Sequence, residues 1–224
     1  MKLSVIIPAY RAEKYLKEAV DSVRSQEGFP EDSEIIVIDD GSDDRTVEIA
    51  KSLGAQVLNQ DHKGAAAARN TGLKIAKGDF ILLLDADDIL NKGSLKQFFL
   101  QFEKDPDLYA CFSKATEFFS PELDEKGKEG LRLKAEPYGG TLPGCSLLKR
   151  EIFDRIGYFN ESLQSGETVD WVIRFRATGM KSVEIDYVTL LRRIHSSNTG
   201  RLHRGNEMAN YARILRERLA MKKK

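Results

Sequence analysis

The first hundred residues alternate between two kinds of segment, and this alternation narrows the fold more than any other feature. Short, nearly continuous runs of Val, Ile and Leu occur at Leu3–Ile7, Glu34–Ile38, Gln56–Asn59 and Phe80–Leu84. Runs without polar alternation fit strands buried on both faces. Helical patterns lie between them. Tyr15, Leu16, Ala19, Val20 and Val23 mark one apolar face of a helix ending near Gln26, and Asp43 or Asp44 is placed to cap a second helix that stops at Gly54. A third runs from the Ala65–Ala68 stretch to Lys77. Strand, helix, strand, helix implies an α/β fold: a parallel sheet covered on both faces.

The remainder is less regular. Ser94 is expected to cap a helix with Leu95, Phe98, Phe99 and Phe102 on one face, and Leu108–Phe119 reads as one or two strands. Residues 120–140 are polar and charged, with prolines and glycines, and read as a mobile loop or an irregular hairpin. The core resumes at Cys145–Leu148, followed by a short helix stopping at Gly157 and another from Glu167 to Thr178. Val183–Ile185 and Leu190–Ile194 are expected as two strands, and Asn206–Ala220 as a final amphipathic helix. With no repeat and no Gly/Ser linker, the 224 residues read as one domain.

Composition excludes several classes. Lys plus Arg and Asp plus Glu both number 35, so the net charge is +0 and no uniform positive coat awaits nucleic acid. Two cysteines make neither a disulfide scaffold nor a four-cysteine metal site, and a reduced, cytoplasmic setting follows as the expectation. No apolar run reaches the roughly 18–20 residues that span a bilayer. The N-terminal apolar stretch is too short for a signal peptide and reads as a first strand. Neutrality hides an uneven distribution. Residues 189–224 hold ten Lys or Arg against two acids, while the preceding residues hold 25 against 33. The basic terminal helix could face a diphosphate, the anionic inner face of a membrane or a second subunit.

The acids collect after strand ends, where ligands bind in parallel α/β sheets. Asp39-Asp40-Gly41-Ser42 follows one strand and Asp85-Ala86-Asp87-Asp88 another. Asp85 and Asp87, two apart, point to one side at strand periodicity. Two such carboxylates repel unless a cation or proton sits between them, and hard oxygen donors suit Mg²⁺ or Mn²⁺, with phosphate oxygens completing the shell. There is no Walker lysine loop and no G-x-G-x-x-G, so any phosphates are held mainly through metal.

Four segments stand in register: Val5-Ile6-Ile7-Pro8-Ala9-Tyr10, Ile36-Val37-Ile38-Asp39-Asp40-Gly41-Ser42, Ala68-Arg69-Asn70-Thr71-Gly72 and Leu84-Asp85-Ala86-Asp87-Asp88. In order and spacing they resemble family 2 glycosyltransferases. Ser146–Phe153, Ile156-Gly157-Tyr158-Phe159 and Gly166-Glu167 extend the resemblance over roughly residues 1–195. It implies the GT-A fold, a Rossmann-like mixed sheet with helices on both faces. Residues 1–104 would form a nucleotide-sugar-binding half, 105–200 an acceptor-binding half and 201–224 the basic helix. The implied activity is metal-dependent, inverting transfer from a nucleotide-diphosphate sugar to a hydroxyl of a glycan, lipid-linked or other acceptor, in cell-surface glycan synthesis.

The resemblance also implies roles. Pro8, Ala9 and Tyr10 match a loop packing on base and ribose, Glu13 a carboxylate near that pocket, and Asp40 an acid accepting a hydrogen bond from the base. Gly64 and Arg69 match a segment flanking the nucleotide. Asp85, Ala86 and Asp87 match the D-x-D motif, with Asp87 the direct metal ligand and His195 completing the metal or diphosphate site beside Arg192, Arg193 and Arg201. His62 and His203 read as surface residues. The pattern departs at the base: many members carry Glu-Asp at a helix start, and here Thr168 follows Glu167. Thr cannot act as a base near neutral pH. Glu167 and Asp170, three apart on one face, are both candidates; alternatively Glu167 favours the helix start and Asp170 pairs with Arg174. Two rivals remain at this level: a binding module that has lost its base, and a haloacid-dehalogenase-type phosphatase with Asp85 as nucleophile.

Overall fold

The computed structural model describes residues 1–140, 142–163, 165–196 and 198. The expected terminal helix, with Arg201, His203 and the basic tail, lies outside the described residues. The elements are β1 (Leu3–Ala9), α1 (Leu16–Arg24), β2 (Glu34–Asp39), α2 (Thr46–Ser52), β3 (Gln56–Asn59), α3 (Ala65–Ile75), β4 (Phe80–Leu83), β5 (Ile89–Leu90), α4 (Ser94–Lys104), β6 (Ala110–Phe119), β7 (Tyr138–Gly139), β8 (Ser146–Lys149), α5 (Glu151–Ile156), α6 (Glu167–Ala177) and β9 (Ser182–Ile194). Among the described residues no helix is long and apolar enough to cross a membrane.

The strands form one sheet in the order β3-β2-β1-β4-β8-β6-β9-β5, with β7 pairing β6. The first four are parallel, as the alternation predicts. Beyond them the sheet is mixed: β8 runs antiparallel to both β4 and β6, while β9 is parallel to β6. Side chains alternate between two cores. Leu3, Val5 and Ile7 of β1 meet Leu16, Val20, Val23 and Phe98 on one face. Ile6 meets Ala68, Ile38 and Ile81 on the other, in a core that also holds Phe153, Trp171 and Phe175. Helices thus cover both faces.

Several boundaries differ from expectation for local reasons. The two strands expected after residue 182 are one strand: Glu184 and Asp186 are exposed and break the apolar run, and the register against β6 shifts between Glu184 and Val188 while the strand continues. The residue before α4 is Gly93, in the left-handed region at φ 80°. Ser94 is instead buried, its hydroxyl donating to Asn91 O at 2.6 Å. The two-residue β5, unmarked by any pattern, pairs Ile89 with Leu191 and Leu90 with Leu190.

Strand order places the site. Chain connection reverses direction between β1 and β4, and in open α/β sheets the crevice beyond the carboxyl ends of such strands receives ligands. The loops carrying Tyr10 and Asp85–Asp88 open there. The β5–β9 pairing ties the end of β9, and hence His195, to the same edge.

Candidate active site

Asp85 and Asp87 have side chains about one-third exposed, at 33% and 32%. Asp85 Oδ1 accepts from Arg69 Nη2 at 2.7 Å, and Arg69 Nη1 donates to Glu167 Oε1 at 2.6 Å. The guanidinium, only 4% exposed, therefore bridges an acid after β4 and an acid at the start of α6. Its Nε is buried with no partner among the described residues. Burial pushes the Asp85 carboxyl up, the Arg69 charge opposes this, and Asp87 adds to it. Ala86 is buried between the two acids. Asp87 Oδ2 lies 2.9 Å from His195 Nε2 and 3.4 Å from Asn198 Nδ2. Asp88 is buried and accepts from Arg193 N at 2.9 Å; burial, then Asp87 and Asp85, push its carboxyl well above the usual range.

These residues fit a divalent cation bound together with a diphosphate. The Asp85 and Asp87 carboxylates are accessible hard oxygen donors of the kind that suits Mg²⁺ or Mn²⁺, and the His195 imidazole, a borderline donor, lies against Asp87. Among the described residues no group of three His, Cys, Asp or Glu forms a cage, so further coordination positions fall to phosphate oxygens or water.

At the nucleotide end, Pro8 is half-buried and Ala9 buried at the end of β1, while Tyr10 beyond them is 43% exposed. Arg11 follows in the left-handed region at φ 49°. Ser42 Oγ accepts from its main-chain N at 2.9 Å, and Asp43 holds its guanidinium at 2.8 and 2.7 Å. Strain at that residue turns the chain so that the Tyr10 ring faces outward. Glu13 accepts from Arg45 N at 3.3 Å and lines a cleft of about 470 Å³ that it shares with Tyr15, Glu122 and His195. The Asp40 carboxylate is buried and accepts from Gln60 Nε2 at 2.7 Å, Lys63 N at 2.9 Å and Gly64 N at 2.8 Å, while His62 Nδ1 lies 2.9 Å from its Oδ2 and hydrogen-bonds the Asp40 main-chain O at 3.1 Å. It fixes Gly64, at φ 90° before α3, and so the approach of Arg69.

The two candidate bases separate. Glu167 joins the crevice through Arg69. Asp170 is buried and accepts from Arg174 Nε at 3.0 Å, and Arg174 in turn donates to Ile156 O and Tyr158 O. Asp170 thus fastens α6 to the end of α5, the i,i+4 pairing that was the alternative expectation. Thr168 faces a small recess with Leu83, Phe112, Phe159 and Trp171.

The expected role at a diphosphate is corrected for Arg193 by its burial, and Arg192 is half-buried and already paired. Arg192 pairs with Glu117 at 3.3 Å. Arg193, only 3% exposed, donates from Nε to Asp87 O at 2.9 Å and from Nη1 to Ser120 Oγ at 3.3 Å, and also bonds Glu18 through Nη2. Its guanidinium lies over the rings of Tyr15 and Phe118 at 4.9 and 4.8 Å. Tyr15 reads in sequence as helix core. Its ring in fact packs 4.9 Å from His195 and its hydroxyl bonds Glu122. His62, expected as a plain surface residue, contacts both Tyr10 and Asp40. No local pattern marks these residues, because their partners come from elements 20 to more than 170 positions away.

Comparison with known proteins shows the family and the fold. The family description "Glycosyl transferase family 2" matches residues 4–157. An uncharacterized glycosyltransferase of Rickettsia prowazekii is 32% identical over 211 residues, covering 88% of this chain and 65% of the relative. Glycosyltransferase GlyG of Streptococcus pneumoniae is 30% identical over 182 residues, covering 70% and 60%. Residues 1–349 of S. aureus TarS, solved with UDP-GlcNAc, superpose with a TM-score of 0.69 at 25% identity, over 88% of this chain and 60% of that one. A Pyrobaculum calidifontis mannosyltransferase, solved with GDP-Man and Mn²⁺, shares the fold with a TM-score of 0.67 at 17% identity, over 90% and 59%. The chain spans 60–65% of the length of the first two of these relatives.

Proposed function

The chain belongs to glycosyl transferase family 2, with the GT-A fold, and from that membership we propose that it transfers a sugar from a nucleotide-diphosphate donor to an acceptor hydroxyl with inversion. The observation that carries this reading is the Arg69 bridge, which joins Asp85 on the donor side to Glu167 on the acceptor side through one buried cation. Family membership removes the phosphatase alternative.

Tyr10 offers its exposed face to the base. Asp87 and His195, with Asp85 beside them, would hold a divalent cation, which would supply positive charge to the diphosphate. Such a cation, when bound, offsets charge building on the departing diphosphate. Glu167 takes the acceptor proton at Oε2, the oxygen that Arg69 does not engage, and Arg69 holds the carboxylate in place. Thr168 contributes its shape to the recess and no proton chemistry. The acceptor belongs to cell-surface glycan synthesis; the named activity of TarS, on poly(ribitol-phosphate), and its 38% identity over 102 residues support this class. The basic tail is a contact for an anionic membrane face or a second copy.

The test is transfer from a panel of nucleotide sugars with Mn²⁺. Glu167→Gln should lower turnover about 10²–10⁴-fold. Asp170→Asn should lower thermal stability and leave turnover of the folded protein within a few-fold. Asp87→Ala should abolish metal-dependent transfer. Equal activity of Glu167→Gln and the unmodified chain would refute the assignment of the base. Thr168 also favours a second reading, a nucleotide-sugar-binding module without catalysis; binding without turnover across the whole panel would select it.

A further inference from the structure

Resting on the donor reading above, we propose that the imidazole of His62 occupies the nucleobase position in the nucleotide-free protein, and that a nucleotide sugar binds by displacing it. A base at this edge of the sheet needs two partners: a flat face to lie on and an acceptor for an in-plane N–H. His62 takes both. Its ring centroid lies 4.1 Å from that of Tyr10 at an interplanar angle of 31°. Its Nδ1 lies 2.9 Å from Asp40 Oδ2. Its hydrogen bond goes to the main-chain O of Asp40 at 3.1 Å, with Oδ2 beside it; both oxygens only accept, so Nδ1 carries the proton and stands where a ring imide N–H of uracil, thymine or guanine would.

The other three donors to Asp40 are fixed. Lys63 N and Gly64 N belong to the main chain. Gln60 is pinned at its far end by Thr71 Oγ1, which donates to Gln60 Oε1 at 2.8 Å. His62 alone is a side chain that can leave, with 59% of it exposed. Exchange is therefore a rotation of one side chain. The imidazole keeps the buried carboxylate and the exposed ring satisfied until a base arrives, at the expense of affinity, because only the fraction of molecules with His62 swung out can bind.

The experiment measures calorimetric Kd values for UDP, dTDP, GDP and ADP with Mn²⁺, and carries the tightest ligand forward. His62→Ala should bind it about three- to tenfold more tightly, the factor expected if the ring-in state dominates by that ratio. Tyr10→Ala should weaken binding in both backgrounds. The His62 ring resonance, assigned by its absence in His62→Ala, should sit in the ring current of Tyr10 without ligand and leave it on saturation. Equal or weaker binding by His62→Ala, or a ring resonance unmoved by saturating ligand, overturns the role of His62 and leaves the donor reading standing. Absence of binding in both proteins, or binding indifferent to Tyr10→Ala, overturns the donor reading itself and His62 with it.

Discussion

Arg69→Met isolates the buried cation on which the candidate site is built. The guanidinium is 4% exposed and makes 2.6 and 2.7 Å contacts to carboxylates that are 15% and 33% exposed. Removing it leaves two acids facing each other without a counter-charge. Breaking a buried ion pair costs about 3–5 kcal/mol, and the partial exposure of both acids places this case near about 3. For a chain of this size that predicts a fall in melting temperature of about 6–12 °C. Arg69→Lys should recover only part of the loss, because an ammonium is a point charge that cannot span two carboxylates as a planar fork does. Glu167→Gln in the Arg69→Met background should restore about 1 kcal/mol, since it removes one of the stranded anions. The assay is thermal unfolding of chelator-treated protein at neutral pH, so that no bound metal replaces the missing charge. A fall under about 2 °C, or Arg69→Lys as stable as the unmodified chain, would refute the claim that this bridge is buried and bidentate.

Three further outcomes follow from other contacts. Arg193→Lys should raise the Mn²⁺ concentration for half-maximal transfer about ten- to a hundredfold while leaving turnover at saturating metal within a few-fold, because Arg193 holds the main chain of Asp87 and touches no reacting atom; a loss confined to turnover would count against this. Gly72→Ala should cost about 1–3 kcal/mol in urea unfolding, since the added Cβ would lie 2.4 Å from Ile6 Cγ2 where α3 packs on β1, and an unchanged midpoint would contradict that packing. Desolvation raises the Glu122 carboxyl, but the Ser120 and Tyr15 hydroxyls and Arg193 overcome it and hold it at about 2, below the ordinary 4.5. A depressed carboxyl stabilises the fold above its unfolded value and ceases to as pH falls through its folded one. The unmodified chain should therefore lose stability more steeply than Glu122→Gln between about pH 4.5 and 2, and parallel acid-unfolding curves would refute the contact.

The parallel half of the fold was legible because burial on both faces writes itself into continuous apolar runs, as in Ile35–Ile38 and Ile81–Leu84. The mixed half was less so. β5 has two residues and no pattern of its own, and the polar stretch of β9 hides a continuous strand whose exposed side chains alternate with half-buried ones. At the site, the identity of the acids was legible and their division of labour was not. Asp85 and Asp87 are marked by type and spacing. That Glu167 faces Arg69 while Asp170 faces Arg174 depends on which side of α6 meets the sheet, and both residues share one helix face in sequence. Arg193 read as a diphosphate contact from its neighbours in sequence, but β9 turns it inward against Asp87, Ser120 and Glu18.

The acidic crevice is not an uncompensated cluster waiting for a metal. Each of its carboxylates already has a protein donor: Asp40 the loop at 60–64, Asp85 the Arg69 fork, Asp87 the His195 imidazole and Asp88 the main chain of Arg193. Ligand binding is then an exchange of partners. On the proposals above a cation would replace the direct Asp87–His195 contact while keeping both as ligands, and a base must take Asp40 from His62. The two imidazoles sit at opposite ends of the site, each holding an acid that a part of the donor would claim. Affinity there reflects the difference between two sets of contacts rather than the sum of one, so a variant that removes a resting partner with no place in the bound site, as His62→Ala does, should strengthen binding, while loss of His195, a ligand on the reading above, should weaken it.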